Sequence, residues 1–128
     1  MALTGFHEDQ RDLSAETRDL HRAILSLMEE LEAVDWYQQR IDVTADAGLK
    51  KILAHNRDEE KEHAAMVLEW MRRHDATLHA HLKTYLFTEG EICEIEASQP
   101  GTGQASAMRA GDGTLSIGSL RDESGSTL

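Results

Sequence analysis

Apolar residues recur at spacings of four and three through the first third of the chain, at Leu20, Ile24, Leu27, Leu31 and Val34. A helix turning about 100° per residue places all five on one side. No proline or glycine interrupts this seam before Gly48, and Ser14, with Glu16 and Thr17 behind it, is a start signal in which Ser14 caps the helix. Asp42 to Gly48 reads as a turn, with Thr44 and Asp46 available to cap a second helix. On that helix Leu49, Ile52, Leu53, Val67 and Trp70 share a stripe that Met71 extends, and the pattern stops near His74 and Asp75. Leu78, His81, Leu82, Tyr85 and Leu86 form a third, shorter amphipathic stretch that closes at Gly90 and suits packing between subunits. A short loop makes the two long helices antiparallel neighbours. The predicted class is all-α: a two-helix antiparallel hairpin plus a short C-terminal helix.

The ends differ from this middle. Residues 1–13 show no apolar period and are expected to form a flexible arm, which leaves residues 14–90 as the helical domain. Glu91 to Glu96 is acidic around Ile92 and Ile95, and Gln99 to Gly113 is rich in Gly, Ala and Ser with the single proline, Pro100. Residues 91–113 therefore read as a flexible linker. Residues 114–128 regain apolar character at Leu115, Ile117 and Leu120, with Gly118 and Ser119 between them and Arg121 after. Short apolar anchors on a tether suit docking into a groove on another protein. A loose terminus without a role is the plain alternative.

Composition narrows the function classes. At 128 residues the chain holds one domain, and its foldable part is small for a self-sufficient core, so association is expected. A net charge of -11 argues against nucleic acid and against anionic membrane surfaces, and it favours cations. No apolar run is long enough to span a bilayer and no secretory leader is apparent, so a cytoplasmic protein is expected. The single cysteine, Cys93, forms no internal disulfide and fits a reducing compartment.

The candidate chemistry lies in the second helix. Glu60 and His63, three residues apart, project from neighbouring turns of one face and can close on one metal ion. They fall inside the apolar stripe, where an unpaired carboxylate costs several kcal/mol or is driven to hold a proton. A cation is the natural compensation; a hydrogen bond between the two is the simpler one. On the first helix Glu30 sits on the seam beside Tyr37, a third ionisable group on a face expected to be dry. With Ala45 as the hairpin midpoint, Glu30 and Glu60 stand at one height and His63 one turn further along. On the opposite side of the first helix Glu29, Glu32 and Trp36 gather, either a solvated acidic face or a second, weaker cation site. His55, Glu59 and Glu62 are read mainly as a solvated face, with Lys61 and Arg57 as salt-bridge partners, and His74, His79 and His81 as non-ligands.

Di-iron carboxylate bundles take one Glu from each of two helices and a Glu-x-x-His from each of two others. This chain carries one of each and so supplies half the set. Two protomers about a two-fold axis would complete a four-helix bundle with two metals. Oxygen-rich ligands with one imidazole suit iron or manganese, and the lack of thiolates argues against structural zinc.

The stretches Leu27 to Tyr37, His55 to Ala64 and Lys83 to Glu89 closely resemble the encapsulated ferritins of bacteria, and Leu115 to Arg121 resembles the peptide that targets cargo into encapsulin shells. The resemblance implies a ferritin-like bundle formed only on dimerisation and a ring-shaped homodecamer built as a pentamer of dimers. It implies a ferroxidase that oxidises Fe(II) with dioxygen at a di-iron centre across the dimer interface. It also implies iron storage, with the iron mineralised inside an encapsulin nanocompartment. By matching positions, Glu30, Glu60 and His63 become the ferroxidase ligands and Tyr37 their neighbour. Glu29, Glu32, Trp36 and His55 become an outer metal-uptake site for Ca or another divalent cation. Leu115, Ile117, Gly118, Ser119, Leu120 and Arg121 become the shell-binding residues. Two rival readings stand beside it, a di-manganese enzyme acting on peroxide and a non-catalytic helical adaptor whose Glu and His only specify dimer register.

Overall fold

A computed structural model describes residues 5–100, and every regular element among them is helical. The elements are a short 3-10 helix Gln10–Asp12, then α1 (Ala15–Val43), α2 (Ala47–Arg73), α3 (Ala76–Tyr85) and α4 (Ile92–Ala97). The chain divides into two compact units, one ending at Ala80 and one starting at His81. The tail residues Leu115 to Arg121 lie outside the described residues.

In the first unit, α1 starts where its cap predicts: Ser14 Oγ accepts the Thr17 amide at 3.0 Å. Before it, the Asp9 carboxylate caps the 3-10 helix, Phe6 lies 4.1 Å from the His21 ring, and Arg18 donates to the Gln10 carbonyl at 3.1 Å. These contacts hold part of the N-terminal segment against α1. Asp46 caps α2 by accepting from both Gly48 and Leu49, and the Thr44 hydroxyl accepts the Asp46 amide. With only Thr44 to Asp46 between them, α1 and α2 return on one another as a hairpin, as the pattern predicts.

The core of the hairpin is thin. Only Ile41 and Ala64 are buried among the described residues, and no side chain is sealed completely from solvent. Leu20, Leu27, Val34, Leu53, Val67 and Trp70 are half-buried along the seam. Ile24, Leu31, Leu49 and Ile52 share the predicted stripes yet are exposed. Each stripe is wider than one partner helix can cover.

At its C-terminal end α2 is clasped by charge. Glu69 accepts from Arg72 and Arg73, whose guanidinium groups hold its carboxyl down at about 2. Arg72 also donates to His79 Nδ1 at 2.7 Å, and the His74 ring stacks on Trp70 with centroids 3.9 Å apart. These histidines are engaged at the α2–α3 junction.

In the second unit the stop comes earlier than Gly90. α3 ends at Tyr85, and Phe87 takes the left-handed conformation (φ 61°) that usually favours glycine. The Leu86 amide donates to the Leu82 carbonyl and the Thr88 hydroxyl to the Tyr85 carbonyl, so the helix end finds its partners locally. The segment expected as linker opens with α4, whose first turn is capped by Glu91 accepting from Glu94. Ile95, half-buried, packs toward Gly90, where a Cβ would meet it at 3.5 Å. Near Tyr85, burial raises the phenol pKa, with Glu96 and Cys93 adding to the effect.

Candidate metal centre

The midpoint register places α1 and α2 so that Glu30 faces Glu60 and His63. One ligand atom from each of these three residues lies within 4.8 Å of the others, and among the described residues this is the only such group of three or more His, Cys, Asp or Glu. His63 Nδ1 lies 3.2 Å from Glu60 Oε1 and 3.6 Å from Glu30 Oε1. The Glu-x-x-His spacing on α2 explains the first contact and the hairpin turn the second.

The cluster is not dry in one chain. The side chains of Glu30 and Glu60 are 26% and 24% exposed, and that of His63 is 46% exposed. The expectation of a sealed face is therefore met only in part, because α1 alone cannot cover the stripe of α2. Elsewhere on α2, Leu49, Ile52 and Met66 are also exposed.

Its electrostatics follow from crowding. A hydrogen bond to Glu60, with some burial, raises the pKa of Glu30. The same bond, seen from Glu60, lowers that of Glu60, and His63 assists. Two carboxylates this close do not both ionise freely, and Glu30 is the one pushed toward its protonated form. The hydrogen bond to Glu60 and the charge of Glu30 raise His63 above its usual value. A divalent cation can replace these protons, since it answers both carboxylates and the ring nitrogen at once.

The remaining candidates are not gathered into this group. Tyr37 is half-buried on α1 with the Arg40 guanidinium 5.6 Å from its ring centroid. Glu29 and Glu32 are exposed, and Trp36 is 48% exposed. His55 is exposed and stands 4.0 Å from Glu59. The salt bridges expected for Glu59 and Glu62 form elsewhere: Arg57 and Lys61 both pair with Asp58. The Arg57 guanidinium also reaches across the hairpin to Gln38, a contact that spacing along one helix cannot signal. No helix among the described residues is long and apolar enough to cross a membrane.

Comparison with known proteins places this arrangement in context. The chain is 59% identical over 123 residues to the encapsulated ferritin-like protein of Rhodospirillum rubrum, covering 91% of this chain and 88% of the relative. It is 37% identical over 111 residues to the encapsulin nanocompartment cargo protein EncC of Myxococcus xanthus, covering 80% and 85% of the two chains. The crystal structure of a protein from Nitrosomonas europaea is 62% identical with a TM-score of 0.67, matching 69% of this chain and 97% of that one. The EncFtn-like family matches residues 5–89, a span that holds α1, α2, α3 and all three clustered side chains, and the chain belongs to that family.

Proposed function

We propose that this protein is a ferroxidase that oxidises Fe(II) to Fe(III) with dioxygen, for iron storage inside an encapsulin shell. The observation that carries the reading is the convergence of Glu30, Glu60 and His63 on a half-open face of the hairpin. The donor set fits Fe(II): two carboxylates and one imidazole, with no thiolate, leave coordination positions for water, oxygen or further ligands. A second copy about a two-fold axis would bring three more donors and complete the di-iron set. The exposed apolar residues of the same helix stripe, Leu49 and Ile52, give that copy an apolar surface to cover. Membership of the EncFtn-like family, and the names of the Rhodospirillum and Myxococcus relatives, support the ferritin-like and shell-cargo parts of the reading.

Glu30 and Glu60 would neutralise the charge of bound Fe(II) and favour Fe(III) more strongly still, easing the loss of one electron per iron to dioxygen, the oxidant. His63 would present a ring nitrogen to the ion. Tyr37 lies on the Glu30 helix as a neighbour of the site. Glu29, Glu32, Trp36 and His55 form an outer surface that concentrates cations before they reach it. The tail, through Leu115, Ile117, Gly118, Ser119, Leu120 and Arg121, docks on the shell protein, and the working assembly is a homodecamer of five dimers.

Replacing Glu30, Glu60 or His63 with alanine is expected to slow Fe(II) oxidation under air by more than about a hundredfold, since losing even an outer partner of a metal ligand costs about 10–100-fold. Parent rates in all three variants would overturn the assignment. Manganese recovered from protein purified without added iron, with peroxide consumed faster than Fe(II), would give the site to manganese chemistry. An assembly size indifferent to Fe(II) under nitrogen would favour the adaptor. Deleting Thr114 to Leu128 is expected to leave oxidation intact and abolish co-purification with a shell protein; retained co-purification removes the tail from that role.

A further inference from the structure

Glu30 meets Glu60 and His63 only while α1 and α2 keep one axial register. A helix advances about 5.4 Å per turn, further than the 4.8 Å within which the three ligand atoms lie. One turn of slip takes Glu30 out of the cluster. Apolar packing opposes that slip only in part, because among the described residues only Ile41 and Ala64 are buried and the rest of the seam is half-buried. In thin helical interfaces a directional polar contact is what specifies register.

The hairpin has such a contact away from the ligands. Arg57 Nη1 on α2 donates to Gln38 Oε1 on α1 at 2.7 Å. Both ends are anchored: Gln38 Nε2 donates to Asp42 Oδ1, and Arg57 Nε donates to Asp58 Oδ1, each at 2.9 Å. The Arg57 side chain is 21% exposed, against 57% for its neighbour Lys61, so the guanidinium is held in place instead of ranging through solvent. Helical side chains tilt toward their own N-terminus. In antiparallel helices that tilt carries Arg57 toward the turn and Gln38 away from it, so the two meet along a diagonal. A diagonal strut resists axial sliding, which a contact perpendicular to the axes does not.

We infer that Arg57 and Gln38 are positioning residues that lock the hairpin in the register that assembles the metal site. The inference rests on the metal-binding reading for its purpose, and the polar partners of the two residues are Asp58, Asp42 and each other, not a ligand. Losing the strut admits slipped registers and lowers the fraction of chains competent to bind metal, without altering the ligands themselves.

The test uses the full chain and Co(II) as a spectroscopic probe, with Glu30→Ala as the reference for a lost ligand. Arg57→Ala and Gln38→Ala are each expected to raise the Co(II) Kd by about tenfold, the equivalent of a charge-assisted hydrogen bond at the low end of its range. The double variant is expected to be no worse than either single one, because both remove one interaction. Arg57→Lys keeps a donor and should recover part of the affinity. At saturating Fe(II) the oxidation rate should return toward the parent value while the half-saturating concentration stays raised. Variants that remain helical and bind Co(II) like the parent overturn the inference, and so do additive losses. If Arg57→Ala loses its helical signal, Gln38→Ala decides, since Gln38 is exposed and its removal leaves the seam intact. A parent protein that binds no Co(II) sinks the metal reading alone. Register is then judged from the metal-free crystal structure of Gln38→Ala: Glu30 drawn away from His63 supports the lock, and unchanged contacts refute it.

Discussion

The three clustered side chains respond to pH in ways that can be separated. Glu30 and His63 both have raised values in the folded chain, from the bond to Glu60 in each case. A raised folded value contributes stability below the unfolded value and loses it as pH rises through the folded one. For His63 that loss begins above 6.5, and for Glu30 above 4.5. Glu60 runs the other way: its lowered value contributes above 4.5 and is lost on acidification. Metal uptake opposes the His63 and Glu30 trend, since the ion takes the place of their protons. The metal-free protein is therefore expected to lose the His63 contribution as pH rises past neutrality, while Co(II) binds more tightly over the same interval and releases protons. Calorimetry in buffers of different ionisation enthalpy measures that release, and uptake without proton release would place the metal elsewhere. The residue types at this site were legible from Glu-x-x-His spacing and from carboxylates on an apolar stripe. Their half-exposure was not, because it depends on how little of the stripe a single partner helix covers.

At the scale of elements, the caps do most of the punctuation. Ser14 and Asp46 were readable as helix starts, and both accept the amides that such caps accept. Asp46 holds two amides at the start of α2, so Asp46→Ala is expected to cost about 1 kcal/mol of stability, read from chemical denaturation. An unchanged denaturation midpoint would show that Thr44 and the backbone suffice for the turn. The C-terminal stop was harder to read. Gly90 is the residue that propensity favours, yet Phe87 adopts the left-handed backbone because local hydrogen bonds from Leu86 and Thr88 close the helix end there. Cap chemistry near a helix start is local and specific. Several residues compete to end a helix, and tertiary surroundings choose among them.

For the whole molecule, the governing fact is the shortage of core. Exposed Leu31, Trp36, Ile52 and Met66 leave much of the apolar surface of the hairpin unburied within one chain. A chain that buries so little is expected to draw stability from association, which would make its unfolding depend on concentration. The thermal midpoint of the metal-free protein is expected to fall on about hundredfold dilution, followed by the helical signal. A midpoint independent of concentration would mean that the hairpin stands alone, and it would remove support for a site completed by a second copy. The net charge of -11 attracts cations and opposes the approach of like copies.

The sequence by itself determined the two long helices, the turn between them, the height at which Glu30 and Glu60 stand, and the residue types that gather there. Each of these follows from local periodicity or from counting residues either side of a short turn. Only the tertiary structure decided that Arg57 turns to Asp58 and Gln38 instead of Glu59 or Glu62, that Ile41 and Ala64 are what lies buried, and that the cluster stays half open. A side chain with several partners within reach is settled by which neighbouring helix arrives, and at what angle, and no spacing along one strand of sequence carries that information.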